Sequence, residues 1–169
     1  MTRSDLELAL SFGTLAVTLL GLGAVYFQIR SATKLQRVEH ERQRKQATID
    51  AYSSSFSART SMQDRLPNDR EFAAVRAFCP HPTDTLNPNF LLVVAHLNYW
   101  ENFATGVHEG VYDLKVVDAL AGERVVGAWR GYEEFILGRR KALSSERVWD
   151  GLEKLALDLG KLRSASRRK

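Results

Sequence analysis

The longest apolar stretch of the chain lies close to its N-terminus. From Leu8 to Ile29 there are 22 consecutive positions without a charged side chain. A helix needs roughly 20 apolar residues to cross a bilayer. A cleaved signal peptide is the alternative, but it starts with a basic segment and has a shorter apolar stretch. We therefore predict an uncleaved transmembrane helix over residues 6–29, preceded by a short extracytoplasmic tail over residues 1–5.

The distribution of basic residues predicts the orientation of this helix. Only Arg3 precedes the span, whereas Arg30, Lys34, Arg37 and three further basic residues follow it closely. Basic residues are retained on the cytoplasmic side of a membrane. We expect an inner-membrane protein of bacteria with its N-terminus outside and the remainder in the cytoplasm. Arg30, Lys34 and Arg37 are expected to contact lipid head groups, because anionic lipids attract basic segments beside a span.

Small residues recur along one face of the predicted span, at Ala9, Gly13, Ala16 and Gly23. Small side chains let two membrane helices approach closely. The stripe is therefore a candidate packing surface for a second membrane helix. The alternative is that alanine and glycine are simply common in such helices.

The segment after the span is polar and rich in residues that favour helix. No proline occurs from Gln28 to Met62, and arginine, glutamine, lysine, glutamate and alanine are frequent there. We predict that the membrane helix continues as a basic stalk over residues 30–63. Ile49, Tyr52 and Phe56 follow one another at helical spacing, so we expect them to dock on the domain that follows.

Apolar positions with helical spacing continue through residues 64–162 and predict a bundle of about five helices. Asn68 or Asp69 is expected to cap a short helix that ends before Pro80. The next helix has the clearest signals, with Asn87 as its cap, Pro88 at its first position and Gly110 as its end.

The C-terminal part of the bundle is predicted to contain three further helices. The first runs from Asp113 to Gly122, the second from Arg124 to Lys141, and the third is capped by Ser144 or Ser145 and ends at Gly160. A basic tail follows over residues 163–169. No segment alternates apolar and polar residues as a half-buried strand would, so we predict an all-α fold. The expected core contains Leu97, Trp100, Trp129, Phe135, Trp149 and Leu152.

One helix carries the richest set of polar side chains. Asn98, Glu101, Thr105 and His108 fall at spacings that place them along one helix face. This face is a candidate partner-binding surface, and its alternative is hydrogen bonding to neighbouring helices or water. A di-iron bundle needs Glu-x-x-His pairs, and the sequence contains none. We therefore predict no metal site and no cofactor.

Nucleophilic catalysis is also unexpected. Cys79 has His81 two residues further on, but no orienting third group is evident in the sequence. We predict that the protein is not an enzyme. The remaining enzymatic hypothesis uses the face that carries Glu101 and His108.

The charge balance points to a membrane surface. The chain has 24 lysines and arginines against 20 aspartates and glutamates, and its pI is about 9.4. Its positive charge concentrates beside the predicted span, around Arg139 and Arg140, and in the C-terminal tail. Basic clusters beside a membrane are explained by anionic lipid, so we expect the bilayer as a partner and no nucleic acid.

The segment LNYWENFATGVHEGVYD, from Leu97 to Asp113, resembles an uncharacterised bacterial family of small membrane-anchored helical proteins, domain of unknown function 4760. The resemblance rests on a Leu-Asn-aromatic-aromatic-Glu segment and on Gly106, Gly110 and Asp113 after it. Trp129 and an arginine at position 139 or 140 extend it. It implies the same architecture of span, stalk and helical domain, and it implies no catalytic residues.

These observations lead to one expected function and one alternative. The expected function is that of a non-catalytic scaffold or accessory subunit of a membrane protein complex, which binds a protein partner or a second copy of itself. The alternative is a membrane effector of a bacterial stress or phage-defence system.

Overall fold

The computed structural model describes residues 3–68 and 71–166, and their side chains from Leu20 onward. These ranges contain helices and no strand, which confirms the all-α prediction. The helices are α1 (Arg3–Ser54), α2 (Phe56–Gln63), α3 (Phe72–Phe78), α4 (Pro88–His108), α5 (Leu114–Leu143) and α6 (Asp150–Ser166).

The chain divides into two compact units, of which the first ends at Gln43 and the second begins at Arg44. In the first unit, every described side chain of α1 from residue 20 to residue 43 is exposed. Large apolar side chains are among them: Leu20, Leu22, Val25, Tyr26, Phe27, Ile29, Leu35 and Val38.

Among the described residues, no helix combines the length and the apolar character that crossing a membrane requires. Positions 6–19 of the predicted span lie outside the residues whose side chains are described, so the span stays a prediction. Ala9, Gly13 and Ala16 of the packing stripe lie outside them as well. A Cβ added at Gly23 would meet nothing within 4 Å.

The core of the second unit lies where α4, α5 and α6 meet, and α3 packs on α5. Of the six residues expected there, five are buried: Leu97, Trp100, Phe135, Trp149 and Leu152. The expectation for Trp129 is wrong, because this side chain is only half-buried at the edge of the core. The Arg140 guanidinium lies 5.8 Å from the centre of the Trp129 ring.

Helix α4 begins and ends as predicted. The Asn87 side chain accepts a hydrogen bond of 2.9 Å from the Asn89 N–H, and Pro88 takes the first helical position. At the other end, Gly110 has a φ of 71°. The N–H groups of Val111 and Gly110 donate to the carbonyls of Gly106 and Val107, respectively, which is the Schellman arrangement. A Cβ at Gly106 would collide with the ring of Tyr112, so this glycine makes room for an aromatic side chain.

The predicted helix boundary at Gly122 is wrong, because α5 runs without a break through residues 114–143. A Cβ at Gly122 would collide with the side chains of Asp118 and Arg163. At Gly138 it would collide with Pro82. These two glycines therefore let other side chains reach the backbone of α5, and they do not end the helix.

Two of the three predicted docking residues of the stalk, Ile49 and Phe56, remain exposed. Tyr52 packs edge-on against Phe103, with 6.2 Å between the ring centres. Ile49 is 41% exposed and Phe56 is 62% exposed. The helix is interrupted between them at Ser55, since α1 ends at Ser54 and α2 starts at Phe56.

The predicted caps of two helices are wrong. Helix α3 has Glu71 at its N-cap, with no side-chain capping bond. The Asn68 carbonyl accepts a hydrogen bond from the Glu71 N–H, and Asp69 lies outside the described residues. Ser144 is the left-handed C-cap of α5, with a φ of 48°, and the Ser145 N–H donates to the Arg140 carbonyl.

Helix α6 also differs from its predicted bounds. It begins at Asp150, five residues or more beyond the expected serine caps, and it passes Gly160 to end at Ser166. A Cβ at Gly160 would meet nothing within 4 Å, and this glycine keeps ordinary helical geometry. A glycine alone therefore does not end a helix. A capping arrangement must also replace the helical hydrogen bonds that are lost there.

The left-handed C-cap of α5 leads to a stability prediction. A residue with a Cβ pays roughly 1–2 kcal/mol in this conformation, whereas glycine does not. We expect Ser144→Gly to raise the free energy of unfolding by about 1 kcal/mol, measured by urea denaturation. Gly110→Ala places a Cβ at a positive φ and should lower the free energy of unfolding by a similar amount. A Ser144→Gly variant that is less stable than the parent would contradict the C-cap assignment.

Candidate functional site

The polar face of α4 lies against the first turn of α6. The Glu101 carboxylate accepts a hydrogen bond of 3.1 Å from the Gly151 N–H and one of 2.7 Å from the Leu152 N–H. N–H groups in the first turn of a helix have no partner within that helix, and a negative charge there is favoured by the helix dipole. Glu101 thus caps α6 from a different helix.

Gly151 permits this close approach. A Cβ at this position would lie 2.9 Å from Glu101 Oε1, which is closer than ordinary van der Waals contact. A larger residue would push the carboxylate away from the two N–H groups that it accepts from.

The turn before α6 is held by Asn98 and Trp149. The indole N–H of Trp149 donates to Asn98 Oδ1 at 2.8 Å. Trp149 is buried, its ring centre is 6.0 Å from that of Phe135, and its φ is 53°. A bulky residue at positive φ is a backbone outlier. The hydrogen bond and the ring packing hold it in place.

Arg140 ties α5 to the same junction. Its Nε–H donates to the Val148 carbonyl at 2.9 Å, and its Nη1–H donates to Glu153 Oε2 at 2.8 Å. The guanidinium is only 7% exposed, so its charge is largely removed from water. Loss of one partner from a buried ion pair leaves an uncompensated charge. The pair therefore fixes the end of α5 against α6.

The other two residues of the polar face play smaller roles. The Thr105 hydroxyl donates to the Glu101 carbonyl within α4 at 3.0 Å. His108 is exposed. At the start of α6 the pKa of Asp150 is lowered, chiefly by the hydrogen bond from Lys154, while Arg140 and His108 add smaller electrostatic effects.

Asn98 and Glu101 therefore form hydrogen bonds with a neighbouring helix of the bundle and the turn before it. This is the alternative to partner binding that the sequence leaves open. Partner binding by the α4 face stays a prediction. We refer to the contacts of Asn98, Glu101 and Arg140 with the start of α6 as the α6 junction.

His96 forms part of the floor of a groove of about 420 Å³. Its ring lies 5.3 Å from that of Tyr132 and 6.3 Å from that of Trp100. Burial lowers the pKa of His96 to about 4, so the imidazole is neutral near pH 7. The groove is lined by Gln63, Leu66, Pro67, Asn68, His96, Glu123 and Arg124.

The Cys79 thiol is protonated near pH 7. Burial, with a smaller contribution from the negative charge of Glu134, raises its pKa to about 11. A thiol must ionise to act as a nucleophile. His81 directs its Nδ1 to the Thr83 hydroxyl, 2.9 Å away. The Cys79/His81 pair considered from the sequence thus shows no activated thiolate.

No group of three or more potential metal ligands from histidine, cysteine, aspartate and glutamate occurs within the described part of the chain. Arg30, Lys34 and Arg37, the predicted head-group contacts, are exposed on α1. Their contact with lipid stays a prediction.

A second groove, which sequence reasoning missed, runs between α5 and α6 and has a volume of about 570 Å³. We call it the α5–α6 groove. Arg163, expected in a basic tail, belongs to α6 and borders this groove, where it pairs with Asp118 at 2.6 Å and also with Glu123. The groove is lined by Glu123, Val126, Trp129, Arg130, Ala156, Leu157, Gly160, Arg163 and Ser164.

The capping role of Glu101 leads to a second prediction. We expect Glu101→Gln to lower the free energy of unfolding by about 1–3 kcal/mol, because hydrogen bonds to a charged group are lost or weakened. Urea denaturation measures the effect. Glu109→Gln, an exposed change on the same helix, should stay within about 0.5 kcal/mol of the parent. Equal effects of the two substitutions would exclude the cap.

The neutral state of His96 leads to a prediction about pH. Its pKa is 6.5 in the unfolded chain and about 4 in the folded one, so the unfolded state binds a proton first as the pH falls. Stability should be fully present above pH 6.5 and should decline towards pH 4, by roughly 3 kcal/mol in all.

Urea denaturation across this pH window measures the slope, and His96→Gln should flatten it. His40→Gln changes an exposed histidine and should retain the slope of the parent. An unchanged slope in His96→Gln would show that other groups cause the pH dependence.

Comparison with known proteins gives one match. A family model described as Domain of unknown function (DUF4760) matches residues 12–159. No curated protein and no solved structure matches the chain. Because the matched residues make up most of the sequence, the chain belongs to the DUF4760 family.

Proposed function

We propose that the protein is a single-pass membrane-anchored scaffold or accessory subunit of a membrane protein complex, without catalytic activity of its own. The observation that carries this proposal is the exposed apolar surface of α1. Leu20 is 75% exposed and Phe27 is 73% exposed, and both belong to the stretch of 22 uncharged positions. An extended exposed apolar surface is typical of contact with a membrane or a partner.

The charges after this stretch support an inner-membrane location with the second unit in the cytoplasm. Arg30, Lys34 and Arg37 are exposed and follow the apolar stretch directly. Basic side chains beside a span interact with anionic head groups of the cytoplasmic leaflet. The bilayer is thus the first proposed partner.

The use of the polar side chains in the second unit supports a binding role. Glu101 and Asn98 are occupied by the α6 junction, and the Cys79 thiol is protonated near pH 7. The groups that would be the first candidates for catalysis are thus engaged in packing or are unreactive. We therefore propose that the surface of the second unit binds a protein partner or a second copy of the chain.

The membrane part of the proposal is tested by fractionating cells that express the full chain. We expect the protein to resist alkaline carbonate extraction and to dissolve in detergent. Leu20→Lys combined with Val25→Lys should weaken retention, because a lysine costs about 2.5–3.5 kcal/mol near the centre of a span and less towards its end.

The matched control is Leu35→Lys combined with Val38→Lys, which adds the same charge outside residues 6–29 and should leave retention unchanged. A phosphatase that requires the periplasm should stay inactive when fused after Lys169. A parent protein that is released by carbonate, or an active fusion, would contradict the anchor or its orientation.

The scaffold part is tested separately, by purification from detergent. A stoichiometric partner or a defined homo-oligomer is expected. A monomer at all concentrations would contradict this part of the proposal, and leakage of the membrane on expression would favour the effector alternative.

A further inference from the structure

We propose that α1 pairs with the same helix of a second copy of the chain, as a parallel two-stranded coiled coil that begins where the helix leaves the membrane. The pairing surface, which we call the stalk seam, consists of Gln28, Ser31, Leu35 and Val38. This inference rests on the proposed function, because it names the second copy as the partner and the surface that binds it.

The stalk seam is defined by the spacing of its residues and by where the apolar ones lie. The four residues are separated by three, four and three positions, the alternation that keeps side chains facing a partner helix in a coiled coil. Leu35 and Val38 are the only large apolar residues from position 30 to position 43. They are 71% and 67% exposed within a continuous helix. The polar part of α1 thus has one apolar strip, and it lies at coiled-coil spacing.

The charges beside the stalk seam match a second copy of the same helix. Lys34 directly precedes Leu35, Glu39 directly follows Val38, and both are exposed. In a parallel coiled coil, the residue before one core position lies beside the residue five positions later in the partner. Lys34 of each copy therefore lies beside Glu39 of the other, which gives two ion pairs in a dimer. The seam is complementary to itself in charge as well as in apolar character.

The proposed membrane anchor supplies the parallel direction. Two copies held in one bilayer by residues 8–29 would send their following segments out on the same side. Gln28 is the only amide side chain in this uncharged stretch and is exposed on α1. Polar side chains in membrane helices form hydrogen bonds with a neighbouring helix, so Gln28 can continue the seam into the membrane.

The length of the stalk seam makes its pairing depend on the membrane. Leu35 and Val38 provide two apolar layers, and Arg42 takes the next seam position. A short interface gains strength when both partners are held at high local concentration, as two anchored copies are. Lipid head groups fit the same surface less well, because anionic lipid attracts Lys34 but repels Glu39.

The first experiment maps the stalk seam by disulfide formation between copies. It uses isolated membranes that contain the full chain with Cys79→Ala, so that each variant carries one cysteine. Leu35→Cys and Val38→Cys should give dimers on oxidation, because a disulfide needs its two Cα atoms within about 7 Å. Gln36→Cys and Arg37→Cys lie on other faces of the helix and should react at least about fivefold more slowly.

The second experiment tests the two ion pairs by copurification of two differently tagged forms of the full chain. Lys34→Glu in both forms places glutamates side by side and should lower copurification at least about fivefold at low salt. Lys34→Glu in one form and Glu39→Lys in the other should restore it, because opposite charges then meet again. Arg37→Glu makes the same change outside the seam and should stay within about twofold of the parent.

A third variant separates pairing from membrane retention. Leu35→Lys combined with Val38→Lys should abolish copurification of the two tagged forms, because it places charges in both apolar layers. Carbonate extraction should show that this variant is retained like the parent. Loss of copurification with intact retention is the result expected of a pairing surface that lies outside the anchor.

Equal reaction of all four cysteine variants, equal effects of Lys34→Glu and Arg37→Glu, or copurification that survives Leu35→Lys with Val38→Lys would overturn the inference. A different protein joined to Leu35→Cys in place of a second copy would overturn it in favour of a heterologous partner. If no dimer forms but a stoichiometric partner copurifies, the inference fails and the scaffold function stands. If the seam pattern appears but carbonate releases the parent, the pairing stands and the membrane anchor fails.

Discussion

The first turn of α6 needs hydrogen-bond acceptors that its own sequence does not place there, and α4 supplies them. Glu101 accepts from the N–H groups of Gly151 and Leu152. Helix α6 in turn carries Leu152, Leu155 and Leu159 into the core, all with no exposed surface. Without the carboxylate, these apolar residues would be buried at the cost of two unsatisfied N–H groups. The burial of the leucines of α6 and the capping of this helix therefore depend on one another.

The turn between α5 and α6 contains backbone strain. Ser144 and Trp149 both have positive φ angles, and each costs free energy in a residue other than glycine. The turn keeps this conformation because its two ends are held from outside. Arg140 binds the Val148 carbonyl and Asn98 binds the Trp149 indole. The backbone strain is balanced by polar contacts from α4 and α5, so the turn is set by tertiary structure more than by its own sequence.

The sequence predicts those parts of the fold whose signals are local. Asn87, Pro88 and Gly110 lie at the ends of the helix that they delimit, so the predicted and observed bounds of α4 agree. The signal that starts α6 lies 50 residues away, at Glu101, so no reading of residues 144–150 would have found it. The predicted helix end at Gly122 is wrong for the same reason, because the residue that explains this glycine is distant in the sequence. The absence of a side chain at Gly122 makes room for the ion pair between Asp118 and Arg163. The sequence shows that glycine destabilises a helix, but it does not show which distant side chain needs the space.

The candidate site follows the same rule. Helical spacing predicts that Asn98 and Glu101 share a face, but it does not reveal what faces them. At the α5–α6 groove, Arg163 pairs with Asp118, which lies 45 positions away in the sequence. Helical spacing does not predict contacts between residues this far apart, so it does not predict the groove. The burial of leucines is non-directional and therefore specifies the register of α6 less sharply than directional contacts do.

Directional contacts supply what the leucines lack. Glu153 pairs with Arg140 at the start of α6, and Arg163 pairs with Asp118 near its end. Two ion pairs near opposite ends of one helix constrain its position and its rotation on α5. The shape of the groove between these helices thus depends on polar contacts as well as on the packing of the core. A surface whose shape is fixed in this way can select a binding partner by fit as well as by charge.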